Sequence, residues 1–215
     1  MLIATYTTRQ LTRRITPNTQ SSKYWSSTTN AMVPGYAWYV DFSNGGYVYL
    51  FGYKLNQTYV RAVRGGQTPQ NFINNGDGTV TDTSTGLMWQ KDTAPGTYTW
   101  QQALSYCENL ILNNDGQWTN GTPNSSGAKY SNWRLPNRNE LQSLVDYGRY
   151  NPAINTDYFS DTVPCDSPLS CSYWSSTTSA DYPSNAWGVC FACHGGVVNG
   201  YGKADNYYVR AGGTY

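Results

Sequence analysis

Between Trp100 and Ile111 the apolar positions recur at helical spacing: Trp100, Ala103, Leu104, Cys107 and Ile111 fall on one face. Thr99 just ahead, with Gln102 three residues on, forms a capping box, so a helix is predicted to begin at Trp100. A second helix opens the same way, from Asn137 with Glu140 as its reciprocal cap and Leu141, Leu144 and Val145 facing inward. Upstream, Phe72 to Val80 and Thr81 to Trp89 read as two short strands, around a turn at Asn75-Gly76-Asp77-Gly78 and with another at Thr85-Gly86. From Tyr173 onward the chain is strand-like. There Trp187, Val189 and Phe191 alternate with Gly188, Cys190 and Ala192; a period of two sends the first set into a core and the second onto an exposed face. The pattern is that of an α+β domain with two helices and an antiparallel sheet.

A repeat organises the whole chain. Residues 24–62 align with 173–211 at a constant offset of 149, without a gap, and 19 of the 39 pairs are identical. Both copies begin YWSSTT, both carry Ala-Trp (Ala37-Trp38, Ala186-Trp187), and both end YVRA. The first copy lacks everything that corresponds to residues 71–164. The expected division is therefore a partial unit over 1–67 and a complete unit over 68–215, joined by the turn-forming Arg64-Gly65-Gly66-Gln67-Thr68-Pro69. Only the complete unit is long enough to bury a core alone.

Composition narrows the function. With 14 Lys plus Arg against 13 Asp plus Glu, no basic face is expected for nucleic acid. Charged residues make up only 13% of the chain, while Tyr (20) and Gly (21) are abundant; a surface of Tyr, Ser, Asn and Gly is the composition of adaptable binding faces. No apolar run is long enough to span a bilayer. Met1 to Ile15 shows no signal peptide. The five cysteines still lean toward an oxidising compartment, because a disulfide between Cys165 and Cys171 would close a short loop.

The motifs NGDGTVTDTSTGLMWQKD (75–92), TWQQALSYCENL (99–110), NWRLPNRNELQSLVDYG (132–148), YWSSTT (173–178) and YVRA (208–211) occur in this order. Together they resemble the C-terminal domain family named after a collagen-like bacterial adhesin, the Lcl C-terminal domain, over about residues 70–211 and again in the partial copy. The resemblance implies a C-type-lectin-like fold, an extracellular or bacterial cell-surface location, tandem copies, ligands such as sulfated polysaccharides and no catalytic residues. Two departures stand out. The second copy ends YVRAGGTY rather than YVRAVRGGQ, which predicts a shortened or frayed last strand. Across 188–208 the core pattern is kept while the other positions change, as Gly188 for Tyr39, Cys190 for Asp41 and Tyr201 for Gly52. That pattern is similar to the variable regions of diversity-generating retroelement target proteins.

The expected recognition face is accordingly Gly188, Cys190, Ala192, His194, Asn199, Tyr201, Asp205, Asn206 and Tyr207, with Tyr201 and Tyr207 as anchors for a glycan or cell-surface protein. Tyr39, Asp41, Tyr47, Tyr49, Phe51 and Tyr53 take the equivalent places in the first unit. Competing chemistry is local. Cys190-Phe191-Ala192-Cys193-His194 spells the haem c attachment signature, with His194 as iron ligand. It falls in a predicted strand, so a Cys190–Cys193 disulfide or two thiols is the favoured reading, and no cofactor or metal is expected. Trp133-Arg134-Leu135-Pro136 and Tyr173-Trp174 read as framework, with Arg134 satisfying backbone carbonyls. A non-enzymatic binding protein is the first expectation; a self-associating subunit of an extracellular fibre or layer, a homo-oligomer, is the second; an electron-transfer protein is the third.

Overall fold

The computed structural model describes residues 18–43, 46–65, 69–163, 171–192 and 195–214. Three strands, β1 (Lys23–Thr29), β2 (Tyr36–Asp41) and β3 (Tyr47–Tyr53), form the first unit's antiparallel sheet in that order. The second unit begins with a meander, β4 (Phe72–Asn74), β5 (Thr79–Asp82) and β6 (Leu87–Gln90). Two strands were predicted here and three form, because both turns reverse the chain. At the second turn the Asp82 carboxylate accepts from the Ser84 N–H and from the hydroxyls of Ser84 and Thr85.

Helix α1 (Trp100–Glu108) and helix α2 (Arg138–Ser143) start where their capping boxes place them. In each, the cap side chain accepts from the N3 amide while the N3 side chain accepts from the cap amide. Asn109 ends α1, its amide and side-chain N–H both donating to Ser105 O. Ile111 therefore leaves the helical face predicted for it and enters β7 (Leu110–Asn113), which pairs with β8 (Trp118–Asn120) and β9 (Ala128–Tyr130). The C-terminal half holds β10 (Ser172–Thr178), β11 (Asn185–Cys190) and β12 (Val197–Gly202), followed by β13 (Gly212–Thr214). Far from fraying, β13 pairs with β6, Gly212 opposite Trp89, and completes the sheet β13-β6-β5-β4. The architecture is α+β and mostly strand: the described residues form four antiparallel sheets and two short helices.

The sheet β10-β11-β12 lies between two cores. On one side Trp187, Val189, Phe191 and Val198 pack with Phe72, Val80, Trp89, Leu141, Leu144, Ile154 and Phe159. On the other, Trp174, Ala186, Tyr201, Tyr207 and Val209 pack with Met88, Ala103, Cys107, Leu110, Trp133 and Leu135, so α1 and its flanks roof the sheet. Among the described residues Arg134 does not serve carbonyls as predicted; its guanidinium makes a two-pronged pair with Glu140. Arg210 has the carbonyl-binding role instead. Fully buried, it donates to Gln90 O, Lys91 O, Thr93 Oγ1, Asp161 Oδ1 and Thr162 Oγ1.

The two copies are not quite in register. Val189 faces Val198 across β11 and β12, whereas its counterpart Val40 faces Val48, one residue earlier than the constant offset requires. An irregularity between Ala37 and Tyr39 absorbs the slip, so that Ala37 faces Gly52 as Ala186 faces Tyr201. The first unit leans on the second through Trp38 against Tyr147 (4.8 Å between rings) and Tyr47 against Trp187 (4.5 Å).

Candidate functional site

The strand face expected to recognise a ligand in the second unit is closed. Gly188, Cys190, Ala192, Tyr201 and Tyr207 are all buried. Alternation separates core from solvent only where one face of a sheet is wet, and here α1 covers the second face. A Cβ at Gly188 would stand 2.8 Å from Tyr173 O and 3.0 Å from the Tyr201 ring. Tyr201 accepts a hydrogen bond from the Ser172 hydroxyl and meets Trp174 edge-on (6.2 Å) and Tyr207 (4.6 Å). These aromatics are core, not anchors. Asn199, Asp205 and Asn206 are exposed, at β12 and the turn after it.

The cysteine expectations divide. Cys165, Cys193 and His194 lie outside the described residues. Cys171 is disulfide-bonded. Cys190 carries a thiol, buried, with its sulfur 3.7 Å from that of Cys171, so of the two expected alternatives, a Cys190–Cys193 disulfide or thiols, Cys190 takes the second. Cys107 is a buried thiol on α1; burial, then the Glu108 charge, push its pKa far up. No group of three His, Cys, Asp or Glu able to hold a metal occurs among the described residues.

Among the described residues the same strand face is uncovered in the first unit, where no counterpart of α1 lies over it. A cavity of about 340 Å³ lies there between Lys23, Trp25, Tyr39, Phe51 and Gly52, with Asn56, Gln57 and Thr58 as its polar rim. Every lining residue answers to one near the buried Trp174–Tyr201–Tyr207 cluster at the offset of 149. The filling is a swap of sizes. The second unit has Gly188 and Tyr201; the first has Tyr39 and Gly52, and a Cβ at Gly52 would fall 2.2 Å from the Trp25 ring. Tyr39 meets Trp25 edge-on at 6.4 Å and 83°, nearly the geometry of Tyr201 on Trp174. Lys23 Nζ caps the Tyr39 ring from 5.0 Å.

Within the predicted first-unit set, Tyr39 and Asp41 are buried, Asp41 accepting from the amide and hydroxyl of Ser43. Tyr47 and Tyr49 are half-buried and stacked, and burial raises the pKa of both phenols. Phe51 (61% exposed) and Tyr53 (44%) are open. Trp25 was missed as a site residue, because its identity with the framework Trp174 hides the difference in their surroundings.

The identical YVRA segments show that difference most sharply. Val209, Arg210 and Ala211 are wholly buried, while Val60 is 74% exposed and Arg61 and Ala62 are open. Among the described residues Arg61 reaches Thr19 Oγ1 and the Tyr24 ring.

The family model of the Lcl C-terminal domain matches the chain over residues 1–64 and again over 78–211. No curated protein matches it.

Proposed function

Because the chain belongs to the Lcl C-terminal domain family, we propose that it is a non-enzymatic, adhesin-type binding module of the cell surface or extracellular space, built on C-type-lectin-like units. Its ligand is a glycan or a surface protein, and its recognition face is the open strand face of the first unit rather than the closed one of the second. One observation carries this reading: the same aromatic layer that is roofed by α1 in the second unit is, among the described residues, left without a helical roof at Trp25 and Phe51, above the buried Tyr39 ring. An apolar face rimmed by amides and hydroxyls suits a sugar ring or an aromatic-rich epitope. Haem attachment forms no part of the proposal, since Cys190 lies in the core beside Cys171 and Ala192. Among the described residues no helix is long and apolar enough to cross a membrane.

The test is a screen of glycan and surface-protein arrays with the intact chain beside the double variant Trp25→Ala, Phe51→Ala. The variant is expected to lose at least about tenfold in affinity for any ligand found, the scale of one hot-spot residue. Ligands bound equally by both proteins would overturn the assignment of the face.

A further inference from the structure

Residues 18–214 hold two C-terminal halves of a family unit but one N-terminal half, the β4–β6 meander together with α1, the β7–β9 sheet and α2. We propose that the face of the first unit left uncovered by the described residues is a docking site for the N-terminal half of a related family unit, which completes the fold. The inference rests on the reading of that face as a binding surface and names its partner.

The second unit shows what the face is shaped to receive. There α1 and its approach are held to the C-terminal half by backbone pairing as well as burial: Tyr98 exchanges both bonds with Tyr207, Ala94 N–H donates to Val209 O, and Gln90 N–H to Ala211 O. The tryptophans lock the contact, Trp174 Nε1 donating to Tyr98 O and Trp100 Nε1 to Ser175 O. The first unit keeps the matching groups. Trp25 and Ser26 stand for Trp174 and Ser175, and Lys54 holds Thr29 as Lys203 holds Thr178, each at 2.8 Å. Among the described residues, the backbone of Thr58, Val60 and Ala62 makes none of the cross-half bonds that Tyr207, Val209 and Ala211 make.

An exposed edge with these groups is a template for strand addition, and the adjoining apolar layer is a seat for a helix. Tyr39 and Gly52 preserve the ring that Gly188 and Tyr201 place there, so the layer keeps its height. Thr58 in place of Tyr207 leaves the cavity, which asks for a larger partner side chain at the position of Tyr98, the residue that pairs with Tyr207 across the two halves. The partner also brings two carbonyls and a carboxylate for Arg61, as Gln90, Lys91 and Asp161 serve Arg210.

The probe is residues 69–163, isotopically labelled and ligated ahead of Met1 of the intact chain through a flexible linker, which gives a high effective concentration. Hydrogen exchange is read at 59–63 and at Ala103 and Cys107 of the added half. Slowing by at least about tenfold at both places, lost when Val60 is changed to Asp, is the expected result. Val60→Asp leaves the untethered chain as stable as before, since that side chain is exposed. Free exchange at 59–63, an added half that stays unprotected, or protection indifferent to Val60→Asp overturns the proposal, because the same half folds on the matching face of the second unit. The tethered chain on the ligand arrays separates the two readings. Array ligands still bound when 59–63 are protected sink the recognition face alone; array ligands lost from the untethered Trp25→Ala, Phe51→Ala variant without protection in the tether sink the docking partner alone.

Discussion

Arg210 and Arg61 occupy the same place in identical tetrapeptides, and the consequence of truncating each depends on its surroundings. Arg210→Ala removes a buried cation and strips the donors from Gln90 O and Lys91 O, while Asp161 and the Thr93 and Thr162 hydroxyls lose their common partner. It also empties the space over the Phe159 ring, 4.8 Å from the guanidinium carbon. Removing this fully buried cation leaves buried carbonyls and hydroxyls unpaired, while Asp161, 35% exposed, can hydrate, so the cost is about 3 kcal/mol, the lower end of the range for a broken buried pair. For a chain of this size that is a fall on the order of 10 °C in the midpoint of thermal unfolding. Arg61→Ala loses one hydrogen bond to Thr19 and a contact with Tyr24 at the surface, a cost of at most about 1 kcal/mol. Urea unfolding followed by tryptophan fluorescence measures both. Equal losses, within about 1 kcal/mol of each other, would refute the claim that environment rather than motif sets the role of this arginine. Arg210→Lys supplies a control: it keeps the charge without the planar fork, so it recovers only part of the loss.

Gly188→Ala forces a methyl against Tyr173 O and the Tyr201 ring, so a loss of about 1–3 kcal/mol is expected with ligand binding at the first unit untouched; normal stability with binding abolished would restore the second-unit face as the site. Hydrogen bonds from Arg134, and a further one from the Asn137 amide, hold the Glu140 carboxyl below the usual carboxylate range. Its contribution is therefore full above the unfolded value of about 4.3 and fades as pH falls through the lower folded value. Unfolding free energies between about pH 3 and 6 should drop more steeply for the native chain than for Glu140→Gln, and parallel curves would contradict the pairing. Cys107 should resist a maleimide at about pH 8 until denaturant is added, since the thiolate is the reactive form and burial suppresses it; labelling of the folded chain at the rate of a free thiol would show the helix face to be open.

The parts of the fold that local chemistry dictates were legible. Thr99 and Asn137 each bring a capping partner three residues on, and both helices start there. Ile111 was misplaced because apolar spacing continues past Asn109, whose side chain closes the helix. The faces of β11 were not legible, because alternation says that two sides differ and not which is wet. Whether Gly188 and Tyr201 see solvent depends on a helix some 80 residues upstream in the sequence that no local pattern connects to them. The sequence did show that the first copy lacks that helix. The open face around Trp25 is its consequence, and seeing it required knowing which strand face the helix covers. Arg134 and Arg210 likewise look interchangeable until their neighbours are known.

The exchange of Tyr39 and Gly52 for Gly188 and Tyr201 bears on how such a gene can change. Two copies that begin with the identical YWSSTT and end with the identical YVRA can recombine with each other, and a breakpoint between the two swapped positions would create hybrids. One hybrid would carry Tyr39 together with Tyr201, two rings in a space built for one; the other would carry Gly188 together with Gly52 and no ring at all. In a unit roofed by α1, the first is overpacked by about 1–3 kcal/mol and the second leaves a void costing about 3–5 kcal/mol. The paired positions thus act as a parity check on recombination, letting whole halves be traded while penalising exchanges that cut between β2 and the end of β3.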